Sequence, residues 1–225
     1  MANYKNLWLD VEGKDIPATI QLDPVIFRYT HPDAHILDVA CATGNVSIKL
    51  ASHGFLVTSI DINRDALEMT AKAATENEIQ MAPAFARATA VALPFAEECF
   101  DVVIMQAFLT VVGSKEDRSR IVREACRVLK PDGHLYIADF GQTWHSQIYR
   151  KRYLRDLPVT KEEGSFLAYD EKTGEVAYTA HHFTEKELVF LLIENGFEVE
   201  FFKRDTFMTR TGNRVNGFVV VGKKS

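Results

Sequence analysis

Between residues 36 and 139 short apolar runs alternate with amphipathic stretches of helical period, and this alternation commits the chain to a parallel sheet covered on both faces. Strands are expected at 36–39, 56–60, around 83–86, at 101–105 and at 135–139, with crossover helices at 45–52, 64–76 and 115–129. Gly54 closes the first helix, and the turn Lys130-Pro131-Asp132-Gly133 closes the third. A later helix begins at Thr184, where Thr184-Glu185-Lys186-Glu187 fits a capping box, and stops at Asn195-Gly196. Strands expected at 198–203 and 215–220 are joined by a loop too short for a parallel crossover, so they pair antiparallel. A mostly parallel α/β sheet closed by one antiparallel strand differs from a dehydrogenase sheet, whose strands are all linked by crossovers.

Two regions fall outside this pattern. Residues 1–34 form an extension of little periodicity. Residues 140–183 insert a basic helix and a hairpin, 166–169 with 176–180, around Asp170-Glu171-Lys172-Thr173-Gly174. The insertion leaves from the carboxyl end of the fifth strand, where open α/β sheets bind ligands, which makes it the expected acceptor cap of a single domain, 1–225. The net charge of −5 offers no overall attraction to nucleic acid or anionic lipid, so a small-molecule acceptor is expected, with neither a nucleic-acid nor a membrane partner. Cys41, Cys99 and Cys126 have no metal-like spacing, no secretory core precedes them, and the longest apolar stretch, 102–112, is interrupted by Gln106. Reduced thiols, a cytoplasmic location and no bound metal are the expectation. Oligomeric state is not legible.

The run Ile36-Leu37-Asp38-Val39-Ala40-Cys41-Ala42-Thr43-Gly44-Asn45 is a strand feeding a tight turn of small residues into a helix, where a ligand can lie against backbone N–H groups. Further on, Val57-Thr58-Ser59-Ile60-Asp61 ends the second strand in a carboxylate, the placement that chelates ribose hydroxyls. Together they suggest an adenosine-containing cofactor. In this order, these segments resemble the motifs of the class I S-adenosylmethionine-dependent methyltransferases. So do Ala88-Thr89-Ala90-Val91-Ala92-Leu93-Pro94-Phe95, Phe100-Asp101-Val102-Val103, Arg127-Val128-Leu129-Lys130-Pro131-Asp132-Gly133, and the stretch from His182-Phe183-Thr184 to Gly196-Phe197. The resemblance implies a Rossmann-like, seven-stranded methyltransferase fold and S-adenosylmethionine as cofactor. It further implies that Asp38 orients the amino-acid end, that Asp61 holds the ribose, that Thr89 and Ala90 meet the adenine, that Gln106 faces the methionine portion, and that Ile62 is also among the cofactor-binding residues. Ala40, Cys41, Thr43 and Gly44 supply the backbone between.

Ala40 and Ala42 stand where the family usually has glycine, which requires both to keep φ below zero. Thr89 stands where an acidic side chain often receives the adenine amino group. For the chemistry, His145, His181 and His182 are the neutral-range bases at the edges of the insertion, and one of them is the expected proton acceptor if the acceptor is a hydroxyl or protonated amine. Within a strand, His181 and His182 point to opposite faces. Cys41 reads as a small filler, and the run Tyr149-Arg150-Lys151-Arg152-Tyr153 as a solvated face or an anion-recognising one. Two other readings stay open: a non-catalytic binding protein with an altered site, and, against the missing G-x-G-x-x-G, a nicotinamide-dependent oxidoreductase.

Overall fold

The computed structural model describes residues 7–16, 20–77, 79, 84–170, 173–209 and 211–225. Pro83, Glu171 and Lys172, which fall in expected elements, lie outside the described residues. Among the described residues, nine strands and six α-helices run in the order α1 (Leu7–Asp10), β1 (His35–Val39), α2 (Asn45–Ser52), β2 (Leu56–Asp61), α3 (Arg64–Glu76), β3 (Ala84–Arg87), β4 (Phe100–Gln106), α4 (Lys115–Val128), β5 (Leu129–Phe140), α5 (Gln147–Thr160), β6 (Ser165–Tyr169), β7 (Val176–His181), α6 (Glu185–Ile193), β8 (Phe197–Met208) and β9 (Arg214–Lys224). Seven strands form one sheet in the order β3-β2-β1-β4-β5-β9-β8. The first five are mutually parallel, while β9 is antiparallel to both its neighbours. This is the Rossmann-like methyltransferase arrangement expected from the alternation and its closing hairpin, and β6 and β7 pair separately as the inserted hairpin.

Strand alternation divides the apolar residues into two cores. Ile36, Ile104, Tyr136 and Val219 face one side, with Leu50 of α2 and with Val25 and Ile26 of the segment before β1. Leu37, Val103, Met105, Ile137 and Val220 face the other, covered by Ile121, Val122 and Ala125 of α4 and by Leu188 and Leu192 of α6. Ile121 is almost fully buried, and truncating such a residue to alanine costs about 2–5 kcal/mol.

Local chemistry sets the helix starts. Asn63 accepts from the Ala66 N–H, Ser114 from the Asp117 N–H, and Thr184 with Glu187 completes the expected capping box. Gly196 carries the left-handed stop, at φ 90°. The turn 130–133 is not a separate element: α4 runs directly into β5, with a register shift against β4 between Phe100 and Val102 and with Asp132 left-handed at φ 62°. The extension packs onto α3, where Asn63 Nδ2 donates to the carbonyls of Trp8 (2.9 Å) and Val11 (2.7 Å), and Asp65 accepts the Gly13 N–H. The Trp8 ring meets Tyr178 of the inserted hairpin at 5.0 Å. Among the described residues no helix is long and apolar enough to cross a membrane.

Candidate active site

At the carboxyl ends of β1 and β4 a cavity of about 80 Å³ opens, lined by Asp38, Ala40, Cys41 and Ala42, by Asn45, Val46 and Lys49 of α2, by Gln106 and Ala107, and by Ile20, Gln21 and Leu22 from the extension. Sequence reading placed Asp38, Ala40, Cys41 and Gln106 at the site but missed Ile20–Leu22, Val46 and Lys49 of α2, and Ala107. Residues 1–34 carry no periodic or motif signal, and Ala107 is marked only by a backbone angle.

That angle belongs to a pattern. Ala40 (φ 57°), Ala42 (φ 49°) and Ala107 (φ 51°) are all left-handed and all border this cavity. The expectation of negative φ at Ala40 and Ala42 is therefore overturned. The chain must reverse within a few residues between β1 and α2, and tertiary bonds hold the reversal in place. The Ala42 N–H donates to Asp61 Oδ2 at 2.9 Å, its carbonyl accepts from Thr70 Oγ1, and the Cys41 N–H donates to the Ile60 carbonyl. Strained backbone of this kind collects where ligands bind. Gly44 follows at φ 76°, where a Cβ would collide with Thr70, and it starts α2 with no side-chain cap, so first-turn N–H groups remain for a ligand beside Asn45 and Val46.

Asp38 is buried, accepts from Ser47 Oγ, and is backed by Ser59 through Ser47. Burial pushes its carboxyl up to about 7, and the charge of Asp61 adds to the shift while the Ser47 hydrogen bond opposes it. Asp61 is raised as well, by burial above all, against the N–H groups of Asn63, Ala42 and Ile62. Gln106 donates Nε2 to the Ile20 carbonyl at 2.8 Å, while its buried Oε1 has no partner. An orphaned buried acceptor beside a cavity is an open place for a ligand's donor. The Cys41 thiol is pushed far up by burial, which fits a filler rather than a nucleophile.

The remaining expected residues lie around this centre. Thr43 and Gly44 belong to the same turn, and Asp61 touches it through Ala42. Ile62, the exposed Thr89 and the buried Ala90 do not line the cavity.

None of the three histidines lines it either. His145 is exposed. His181 and His182 do face opposite ways. His181 is fully buried, with Nδ1 2.8 Å from Ser165 Oγ and 3.3 Å from Glu162, and with Nε2 2.9 Å from Glu187 in an ion contact that is not aligned along the N–H. Burial pushes this imidazole down, but Glu162 and Glu187 outweigh burial and raise it. His182 lies among Phe140, Tyr149, Tyr153 and Phe166, and burial holds it down at about 3. Tyr153 accepts the Thr143 N–H and is hydrogen-bonded to His182 Nδ1 at 2.8 Å.

Glu162, His181 and Glu187 also place possible metal donors within 4.8 Å of one another, but Arg118 already pairs with Glu162, so the group balances as an ion network. Tyr149 and Tyr153 of the basic run are buried and turned away from solvent, so they are not an exposed stacking platform.

Fold and cavity together define an α/β protein with a methyltransferase-type sheet and a cavity at its first strand-to-helix turn. Comparison with known proteins gives the family. A model described as a methyltransferase domain matches residues 37–137. The crystal structure of a SAM-dependent methyltransferase from Methanosarcina mazei is 48% identical, covers 91% of this chain and 99% of that one, and superposes with a TM-score of 0.87. A ubiquinone/menaquinone biosynthesis C-methyltransferase, UbiE, of Shewanella sediminis is 30% identical over 175 residues, 74% of this chain and 67% of that protein. An uncharacterized protein of Haemophilus influenzae is 36% identical over 158 residues, 64% of this chain and 62% of its own length. The chain belongs to the S-adenosylmethionine-dependent methyltransferases, and S-adenosylmethionine is its cofactor. These findings set aside the nicotinamide reading.

Proposed function

We propose that the protein transfers the methyl group of S-adenosylmethionine to a small acceptor held beneath the insertion 140–183. The observation that carries this reading is the unpartnered Oε1 of Gln106, a residue that lines the cavity, because the cofactor's ammonium group is a donor that suits it. Asp38 is a second acceptor for that group, the α2 N–H groups and Lys49 suit its carboxylate, and Asp61 suits its ribose. The cavity, about 80 Å³, is smaller than the roughly 300 Å³ or more that a cofactor-sized ligand fills, so it would take only part of the cofactor, with the ribose toward Asp61 beyond it. When bound, the cofactor supplies an electrophilic sulfonium methyl. The chain's contribution is to hold acceptor and donor in line and to exclude water, effects able to supply most of the acceleration.

The reading gives the histidines no proton-removing role. His182 is enclosed by aromatic rings and bonded to Tyr153, His181 is ringed by carboxylates, and His145 is exposed and does not line the cavity. The similarity to the quinone-biosynthesis methyltransferase does not select the acceptor. Calorimetry with S-adenosylmethionine and its demethylated product against NAD, followed by methyl-transfer assays over small hydroxyl, amine and activated-carbon acceptors, tests the proposal. Cofactor binding with no turnover on any class would favour a binding protein, and binding of NAD alone would sink the cofactor assignment.

A further inference from the structure

In the sheet β1 lies between β2 and β4, and the extension is fastened on either side of it. On the β2 side Asn63, just past the end of that strand, donates Nδ2 to the carbonyls of Trp8 (2.9 Å) and Val11 (2.7 Å). On the β4 side Gln106, the last residue of the strand, donates to the Ile20 carbonyl at 2.8 Å. The Trp8 ring reaches further and meets Tyr178 of the inserted hairpin, with centroids 5.0 Å apart. That hairpin stands beyond the end of β4, since Thr110 Oγ1 donates to the His181 carbonyl at 2.8 Å and Thr179 packs against Gly113. Strands β2 and β4 are two strand spacings apart, about 9–10 Å, so an indole held at one and touching the cap beyond the other lies over the turn that ends β1. Its Nε1 is buried and has no hydrogen-bond partner. An indole nitrogen can only donate, and a buried donor left unpaired costs stability, so this one calls for an acceptor that the protein itself does not supply.

We infer that Trp8 is a cofactor-binding residue, which roofs the adenosyl half of S-adenosylmethionine and donates its Nε1–H to a ribose oxygen or an adenine ring nitrogen. The inference rests on the placement of the ribose at Asp61. Two observations assign the indole to this half of the cofactor. Asn63, which holds the Trp8 carbonyl, gives its own N–H to Asp61 Oδ1 at 2.8 Å, so Trp8 and the ribose carboxylate share one anchor. The cavity beside Asp38 and Gln106, which suits the amino-acid end, is not lined by Trp8, so Nε1 serves a part of the ligand that lies beyond it. The adenosyl group carries acceptor atoms on both its sugar and its base, and the flat base offers a face to the rings of Trp8 and Tyr178. A methyl acceptor seated under the insertion is the competing occupant, and it would leave the affinity for the cofactor independent of the indole N–H.

The test is calorimetry of the full chain, without any methyl acceptor, using S-adenosylhomocysteine and methylthioadenosine, the second of which lacks the amino-acid end. Trp8→Phe keeps a ring against Tyr178 and removes the N–H. It is expected to weaken both ligands by about tenfold, because an acceptor on the ligand then stays unpaired. The unfolding midpoint of the ligand-free variant is expected to stay level or rise, because the orphaned donor is gone. Unchanged affinity for both ligands overturns the proposal, and Asp61→Ala then separates the causes. If that variant weakens both, the ribose site stands without Trp8; if it weakens neither, the placement of the ribose falls as well. A loss confined to S-adenosylhomocysteine would assign the N–H to the amino-acid end and also overturn the proposal. So would a loss of affinity matched by a lower ligand-free midpoint, which makes the indole structural. In Trp144→Phe protein, where Trp8 is the one left of the chain's two tryptophans, its fluorescence emission should shift on saturation with methylthioadenosine and not with methionine. Emission indifferent to methylthioadenosine overturns the inference independently of the Trp8 variant.

Discussion

Asp61 Oδ2 accepts the backbone N–H of Ala42 at 2.9 Å, so the carboxylate that ends β2 is fastened to the turn that ends β1. Its Oδ1 accepts the Asn63 N–H. The side chain that would hold the ribose is therefore also part of the scaffold of the cofactor turn.

Asp61→Ala is accordingly expected to act twice. Cofactor binding should weaken by about 1.5–3 kcal/mol, the scale of a hydrogen bond to a charged group, and folding stability should fall by about 1–3 kcal/mol because the N–H of Ala42 loses its acceptor. Asp61→Asn keeps one acceptor and should fall between the two. Calorimetry and urea unfolding read the two effects separately. An unchanged dissociation constant would place Asp61 outside the site.

Ala42 sits at φ 49°, a conformation that costs an L-residue roughly 1–2 kcal/mol. Glycine removes that cost and gives back about 0.5–1 kcal/mol through the entropy of the unfolded chain. Ala42→Gly should therefore leave stability equal or slightly higher, with S-adenosylmethionine bound no more weakly. Ala42→Val should destabilise by about 1–3 kcal/mol, because a β-branched residue tolerates this region poorly. Thermal unfolding of the pair, with glycine below the parent, would contradict the assignment of strain.

Gln106→Leu separates a binding role from a structural one. It should weaken S-adenosylmethionine binding by about 1.5–3 kcal/mol through loss of the acceptor Oε1. Stability should change little, because removal of an orphaned buried acceptor offsets loss of the bond to Ile20. Calorimetry together with a melting curve decides it, and full affinity in the variant would mean that Oε1 faces no donor of the cofactor.

The adjacent histidines should act on stability with opposite pH dependence. His181, raised by Glu162 and Glu187 against the opposing charge of Arg118, and close to Asp139, adds stability that is complete below its unfolded value near 6.5 and fades as pH rises through its raised folded value. His182, held down at about 3, disfavours folding as pH falls below 6.5, where only the unfolded chain takes up the proton. In unfolding experiments across pH, the stability advantage of the parent over His181→Gln should shrink toward alkaline pH. That of the parent over His182→Gln should shrink toward acid. Two flat differences would contradict both assignments.

Periodicity and turn chemistry are local, and they carried far. The alternation from Ile36 to Asp139, the capping box at Thr184 and the short link between β8 and β9 determine a mostly parallel sheet with one antiparallel strand, because each depends on neighbours a few residues apart. The positions of Asp38 and Asp61 followed from the same strand ends. What the sequence alone could not decide depends on contacts between distant segments. Ala40, Ala42 and Ala107 are left-handed because bonds from β2, α3 and β5 hold the turns beside them, which overrides the preference of alanine. Ile20–Leu22 line the cavity because Gln106, 86 residues away from Ile20, holds that carbonyl. The states of His181 and His182 were equally hidden, since the last residue of β7 and the one after it enter an ion network and an aromatic cluster that only tertiary packing assembles.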